Sequence, residues 1–220
     1  MDSIYFPVFL DLLGARVVVV GGGAEAEERV EALLRAGARI TVVAPQATAR
    51  LRRYGEEARL RWVAREYRTE DFDEAALVLA ADPDPALQHR ACEDARAAGV
   101  WVHRGDEPLD SSVRLPQVFE RGPVQVAVHA EPAAPAFRGA LLQAVANAIG
   151  IEFGVLGEWL AERRSEVELR IPSEDFGREL AEVVMKSEVP QLLREGHHTQ
   201  ARQRFEELRA QCEAAWALPR

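Results

Sequence analysis

The chain has 220 residues, 48% of them hydrophobic, with 36 acidic against 27 basic side chains and a formal net charge of −9, enough for a full core and a second small unit. The negative balance argues against nucleic acid as a partner, because counterion release needs a basic face. Two cysteines, Cys92 and Cys212, are too few for a disulfide framework, and the lack of an apolar run of about 18 residues or of a charged-then-apolar leader argues against a membrane span or secretion, so a cytoplasmic protein is expected.

Residues 4–13, IYFPVFLDLL, carry Pro7 and a dense apolar cluster before Gly14, and read as an arm packed under the first strand. Val17–Val20 is a β-branched run without polar alternation, which suits a strand covered on both faces in a parallel sheet. Gly21-Gly22-Gly23 breaks it, apolar residues then recur at Ala26, Val30, Leu33 and Leu34 along one helix face, and Gly37 supplies a stop. Ile40–Ala44 is a second buried strand, so a βαβ unit is complete within thirty residues. Gly21-x-Gly23-x-x-Ala26 sits between its strand and helix and fits the dinucleotide fingerprint. Glycines there allow a tight turn and let a pyrophosphate approach main-chain N–H groups at the positive end of the helix. The acidic residue that usually takes the ribose is replaced by Val43, Ala44 and Pro45, leaving main-chain groups around Pro45 and Gln46 for that task.

Beyond Pro45 the pattern predicts a short arginine-rich helix over 46–55, a strand at Leu60–Ala64, a helical turn at Thr69–Ala75 and a buried strand at Leu77–Ala81. Asp84 and Pro85 then cap a helix running to about Ala98, and Val100–His103 forms one more strand. Open α/β sheets bind ligands beyond the carboxyl ends of their strands, so the loops Gly21–Glu25, Ala81–Pro85 and His103–Pro108 should converge on one crevice. In the third loop Asp106 is either aimed into the crevice, partly desolvated and suited to proton transfer, or caps a turn before Pro108. His103 is a base, a metal ligand or a partly buried histidine. Val124–His129 reads as a strand with Gln125 outward, and helices are expected at Ala136–Ile149 and near 153–169, 174–186 and 198–217, with Ser173 capping the third of these four. His197 and His198 are adjacent and do not face a single metal, and no metal site is assigned.

Tyr5-Phe6-Pro7-Val8-Phe9-Leu10-Asp11-Leu12, Val18-Val19-Val20-Gly21-Gly22-Gly23, Leu33-Leu34 to Gly37-Ala38, Thr41-Val42-Val43-Ala44-Pro45, and Gly105-Asp106-Glu107-Pro108 with Leu115-Pro116 resemble the precorrin-2 dehydrogenase family. These are NAD-dependent proteins, or siroheme synthase domains, that oxidise precorrin-2 to sirohydrochlorin and in some members insert ferrous iron. The resemblance covers residues 4–150 and is architectural in the tail. It implies an α/β fold, with a Rossmann-like parallel sheet in an NAD-binding domain at 1–114, a dimerisation segment of an intertwined homodimer at 115–150, and a small all-helical domain at 151–220. The implied cofactor is NAD, contacted at Ala24, Glu25, Pro45 and Gln46, with Gly21, Gly22, Gly23, Ala44, Ala81 and Asp82 completing its site. Asp106 corresponds to the catalytic acid/base group. His103, Arg104, Arg114, His129 and Arg138 are the candidate contacts for the tetrapyrrole, with Arg121 also flanking the crevice in sequence, since guanidinium groups suit the eight carboxylates of precorrin-2.

The chain departs from the family pattern at Asp82, where Thr is common, at Gln88 and His103, each in place of Asn, and at His129-Ala130-Glu131-Pro132, in place of a Ser-Ser-Gly-Gly-like turn. Iron chelation would draw on Asp106 with His103 and His129. Two other readings stand beside the enzymatic one: a dinucleotide-binding regulatory or tetrapyrrole-carrier protein that kept the fold and lost turnover, and a Rossmann dehydrogenase of a small substrate.

Overall fold

The computed structural model describes residues 5–105, 111–130, 135–168 and 174–216. Asp106, Glu107, Pro108, Glu131, Pro132 and Ser173, all singled out above, lie outside them. Two compact units divide the chain, Met1–Leu115 and Pro116–Arg220.

The first unit is built on five parallel strands, β1 (Arg16–Val20), β2 (Arg39–Val43), β3 (Arg61–Val63), β4 (Leu77–Ala80) and β5 (Trp101–Arg104), in the order β3-β2-β1-β4-β5. The valine run of β1 takes the centre because every one of its side chains has a covered face to enter. Val17 and Val19 join Ala26, Val30 and Leu33 of helix α1 (Ala24–Arg35) and Leu51 of α2 (Ala49–Glu56) on one side. Val18 and Val20 join Phe72, from a 3₁₀ turn at Thr69–Phe72, and Ala91, Cys92 and Ala95 of α3 (Pro85–Ala97) on the other. Burying each of these valines contributes about 1.5–3 kcal/mol, so the strand without polar alternation is itself a large part of the core. Asp84 caps α3 by accepting from the Ala86 N–H at 2.9 Å, with Pro85 at the first turn, as its position predicts.

The outer edge of β5 is not left bare. The Val102 and Arg104 N–H groups donate to the hydroxyls of Ser112 and Ser111, each at 2.8 Å, while the Val102 carbonyl accepts from the Ser112 and Val113 N–H groups at 2.9 and 3.1 Å. Residues 111–113 therefore close a sheet edge that would otherwise offer unpaired backbone groups.

Three expectations change. The described part of the amino-terminal arm is not packed under β1: Phe6, Val8, Phe9 and Leu13 are 55–86% exposed, and among its described residues only Leu12 reaches the core. The physical reason is that β1 is central, with β2 and β4 on its edges and helices over both faces, so no surface beneath it remains. A strand at β6 (Gln117–Arg121), unforeseen because its apolar residues are few, pairs antiparallel with β7 (Val124–Val128). A short helix α7 (Val189–Arg194) interrupts the expected gap between α6 (Glu174–Lys186) and α8 (His198–Trp216).

In the second unit α4 (Pro135–Ala148) and α5 (Ile151–Glu168) follow the β6–β7 hairpin. Gly154 and Gly157 let α5 come close to its turn, since added Cβ atoms would lie 2.8 Å from Arg121 Cγ and 2.7 Å from Pro123 Cγ. Helices α5 to α8 enclose their own core of Leu156, Phe176, Leu180, Val184, Leu193, Phe205 and Leu208. Among the described residues no single helix is long and apolar enough to cross a membrane.

The turn leading into β4 is held by one charge cluster. Arg65 donates twice to Asp71 at 2.7 Å, and the Arg68 N–H adds a third bond at 2.8 Å. The Arg65 guanidinium, first among these, holds the Asp71 carboxyl below its ordinary value of 3.8. A depressed folded-state pKa means stabilisation that is complete above the unfolded value and is lost as pH falls through the folded one. Asp71→Asn should lower the melting temperature at pH 7 by about 2–6 °C and reduce the further loss of stability below about pH 4. Thermal melts of both proteins across pH 3–7 check this, and parallel curves would count against it.

Candidate functional site

The carboxyl ends of β1, β2, β4 and β5 lie in register, Val20 beside Val43 and Ala80, and Ala80 beside Arg104. The loops leaving them therefore begin side by side, and glycine makes their closeness possible. Gly21 has φ +122°, and a Cβ there would run into the Ala81 carbonyl and lie 2.7 Å from the Asp82 nitrogen. A Cβ on Gly22 would strike the Gln46 carbonyl, whose loop is tied back by a bond of 2.9 Å from the Thr48 N–H to the Gly22 carbonyl. Gly23 differs from both. Its backbone is extended, no atom lies within 4 Å of its Cβ position, and it opens α1 without a side-chain cap.

An open space over Gly23, in front of uncapped amides at the positive end of a 12-residue helix, fits a diphosphate. Gly21, Gly22, Gly23, Ala24 and Glu25 line that end. Ala44 is buried and its carbonyl accepts from Trp62 Nε1 at 3.1 Å, while Pro45 and Gln46 are exposed beside Gly22, where main-chain groups can meet a ribose. Ala81 is buried under Gly21. Asp82 turns into its own loop, accepting from the Asp84 N–H at 3.0 Å.

Two side chains join the glycine turn and the β4 loop to the end of β5. The Glu25 carboxylate packs against Gly105, where a Cβ would collide with it, and pairs with Arg29 at 3.7 Å. Gln88, only 2% exposed, donates from Nε2 to the Asp82 carbonyl at 2.6 Å and accepts from the Gly105 N–H at 3.2 Å. Sequence reasoning registered Gln88 only as a departure. Its signal was present, for it shares the buried stripe of α3 with Ala91, Cys92 and Ala95, where an amide needs two partners.

His103 and Arg104 are each 7% exposed. The His103 Nδ1 lies 3.2 Å from the Val113 carbonyl, and the Arg104 guanidinium reaches His89 Nδ1 at 3.2 Å and the Pro85 carbonyl at 3.4 Å, so both brace β5 against its neighbours. Arg114 donates from Nε to the Tyr5 hydroxyl at 2.9 Å and lies over that ring. Asp106 lies outside the described residues, directly after Gly105. His129, exposed, and Arg138, half-buried, belong to the second unit, as does Arg121, which stacks on Phe119 and donates to the Ile149 carbonyl. Among the described residues no group of three His, Cys, Asp or Glu side chains is placed to hold a metal ion.

Comparison with known proteins gives a family and a fold. A siroheme synthase of Xylella fastidiosa (strain M12) is 34% identical over 199 residues, 89% of this chain and 41% of that protein. A siroheme synthase of Photorhabdus laumondii is 29% identical over 203 residues, 92% of this chain and 43% of that one. The chain thus spans about two fifths of the length of these relatives. Among solved structures, that of "SirC, precorrin-2 dehydrogenase" matches with a TM-score of 0.74 at 23% identity, over 92% of this chain and all of that one, which shows the shared fold. Residues 8–117, which hold the glycine turn, all five parallel strands and the Ser111–Ser112 clasp, match the family model described as "Putative NAD(P)-binding". The chain belongs to this NAD(P)-binding family.

Proposed function

We propose that the protein catalyses the NAD-dependent oxidation of precorrin-2 to sirohydrochlorin in siroheme biosynthesis, as a cytosolic homodimer. The observation that carries the reading is the contact between the two halves of the crevice. Glu25, on the first turn of α1, touches Gly105, so a dinucleotide seated on the glycine turn has the end of β5 as its neighbour. The relatives named siroheme synthase supply the substrate class.

When bound, NAD supplies the hydride acceptor. The chain's own part is to seat the diphosphate at Gly23, hold the ribose on the main chain of Pro45 and Gln46, and accept a proton from the macrocycle at the Asp106 carboxylate. The substrate would thus lose two hydrogens, one as hydride and one as the proton taken up by Asp106. Arg114 is proposed to meet the substrate's carboxylates, while His103 and Arg104, buried, hold the end of β5 in place. Ferrous iron insertion would be an added activity of the same crevice, with iron as substrate.

The homodimer reading is supported within the second unit. The hairpin β6–β7 has no buried residue, nor has α4 over 136–148, yet Val118, Phe137 and Ile151 are 46–57% exposed. An apolar helix over a two-stranded sheet is marginal in isolation, and a second copy would supply the missing cover.

Purified protein incubated anaerobically with precorrin-2 and NAD should develop the sirohydrochlorin spectrum. Asp106→Ala should slow conversion by about 100-fold or more while leaving NAD affinity within a few-fold; conversion unaffected by that change refutes the role of Asp106, and NAD binding without conversion in the wild type favours the carrier reading. Gly23→Ala, with room for its methyl, should melt close to wild type but bind NAD about tenfold more weakly, whereas Gly22→Ala should destabilise the fold outright; calorimetry and NAD titration separate the two. Phe137→Asp should shift the protein from dimer to monomer in sedimentation analysis without loss of helix content, and an unchanged mass would remove α4 from the interface.

A further inference from the structure

Helices α1 and α2 meet beside the ribose end of the site through a polar network that the diphosphate does not need. Thr48 Oγ1 donates to Glu27 Oε2 at 2.5 Å. Arg50 Nη1 donates to Glu31 Oε1 at 2.5 Å and to Glu27 Oε1 at 3.2 Å. The Tyr54 hydroxyl lies 3.4 Å from Glu31 Oε1. Thr48 is itself fixed, since its N–H holds the Gly22 carbonyl and its hydroxyl accepts from the Leu51 N–H at 3.2 Å. The network is therefore anchored to the loop that presents Pro45 and Gln46.

Arg50 follows the end of β2 by seven residues, on the segment where a dinucleotide fold places the arginine that takes a 2′-phosphate. Here its guanidinium is already shared by two carboxylates. A ribose bearing hydroxyls alone asks nothing of that cation and is served by main-chain groups. A 2′-phosphate would bring up to two negative charges next to Glu27 and find Arg50 already neutralised. We propose that Glu27 and Glu31, by holding Arg50, make the site select NAD over NADP. The inference rests on the dinucleotide seat proposed above and adds to it the residues that set its preference.

The test is equilibrium binding of NAD and of NADP to the full chain, followed by calorimetry. Wild type should bind NAD more tightly than NADP. Glu27→Gln with Glu31→Gln should tighten NADP by at least about tenfold, the scale of one released charge-assisted contact, and move NAD by no more than a few-fold. Adding Arg50→Gln to that pair should abolish the gain. Glu31→Gln alone, at a half-exposed position, should give a smaller gain in the same direction and serves if the double variant does not fold. Unaltered NADP affinity in the folded variants, a gain that survives the loss of Arg50, or equal affinity of wild type for both nucleotides overturns the proposal. Wild type that binds neither nucleotide overturns the dinucleotide seat itself, which the variants' ratio alone cannot do.

Discussion

Main-chain contact at the tripled glycine is the constraint on which the first unit rests. Ala81 comes against Gly21 and Gln46 against Gly22 with no room for a Cβ, so the β4 and β2 loops are drawn onto the end of β1 from opposite sides. Only Gly23 is spared such a neighbour, and it is the residue that begins α1. Two glycines thus serve packing, and the third leaves the helix end open. A fingerprint counted as one motif is physically two devices, a close-packed hinge of three loops and an open helix end beyond it.

Much of this was legible in the residues. The apolar runs at Val17–Val20 and Leu77–Ala80, without polar alternation, demanded cover on both faces, which an inner position in a parallel sheet provides, and the Asp84-Pro85 pair fixed the start of α3 to the residue. What the chain did not announce was set by long-range pairing. The arm around Phe6 and Phe9 looked like core because it is apolar, but burial depends on a vacant surface, and a central β1 has none. The β6 strand was hidden for a related reason: none of its residues is buried, so the usual period-two signal is weak. Residues of the site followed the same division. Glycines, caps and strand ends were visible locally, whereas Gln88 and Glu25 matter through contacts with Gly105, some seventeen and eighty residues away in sequence.

Electrostatics in this chain work by pairing rather than by net charge. A protein of charge −9 that takes a nucleotide and, on the reading proposed, a polycarboxylate must present local cations or amides while keeping its many carboxylates occupied. Glu25 is paired with Arg29, Glu27 and Glu31 with Arg50, Asp71 with Arg65. At the glycine turn the attraction for an anion comes from the α1 amides, which carry no counter-ion and are not titratable, so the acidic background does not cancel them at short range.

The departures from the family pattern also take on a physical sense. Asp82, Gln88 and His103 stand where the resemblance drawn from the sequence implies Thr, Asn and Asn, and changes at three such positions would by themselves suggest decay. Yet two of them are joined: Gln88, one methylene longer than Asn, reaches from the buried face of α3 to the Asp82 carbonyl and the Gly105 N–H at once, and His103 closes onto Val113 beside the Ser111–Ser112 clasp. The backbone on both sides of residues 106–110 is thereby pinned, by Gln88 before and by Ser111 after. Gln88 thus has a main-chain partner for each end of its amide, as a buried polar side chain requires. The residue at Gln88 therefore ties the β4 loop to the end of β5 rather than loosening the two.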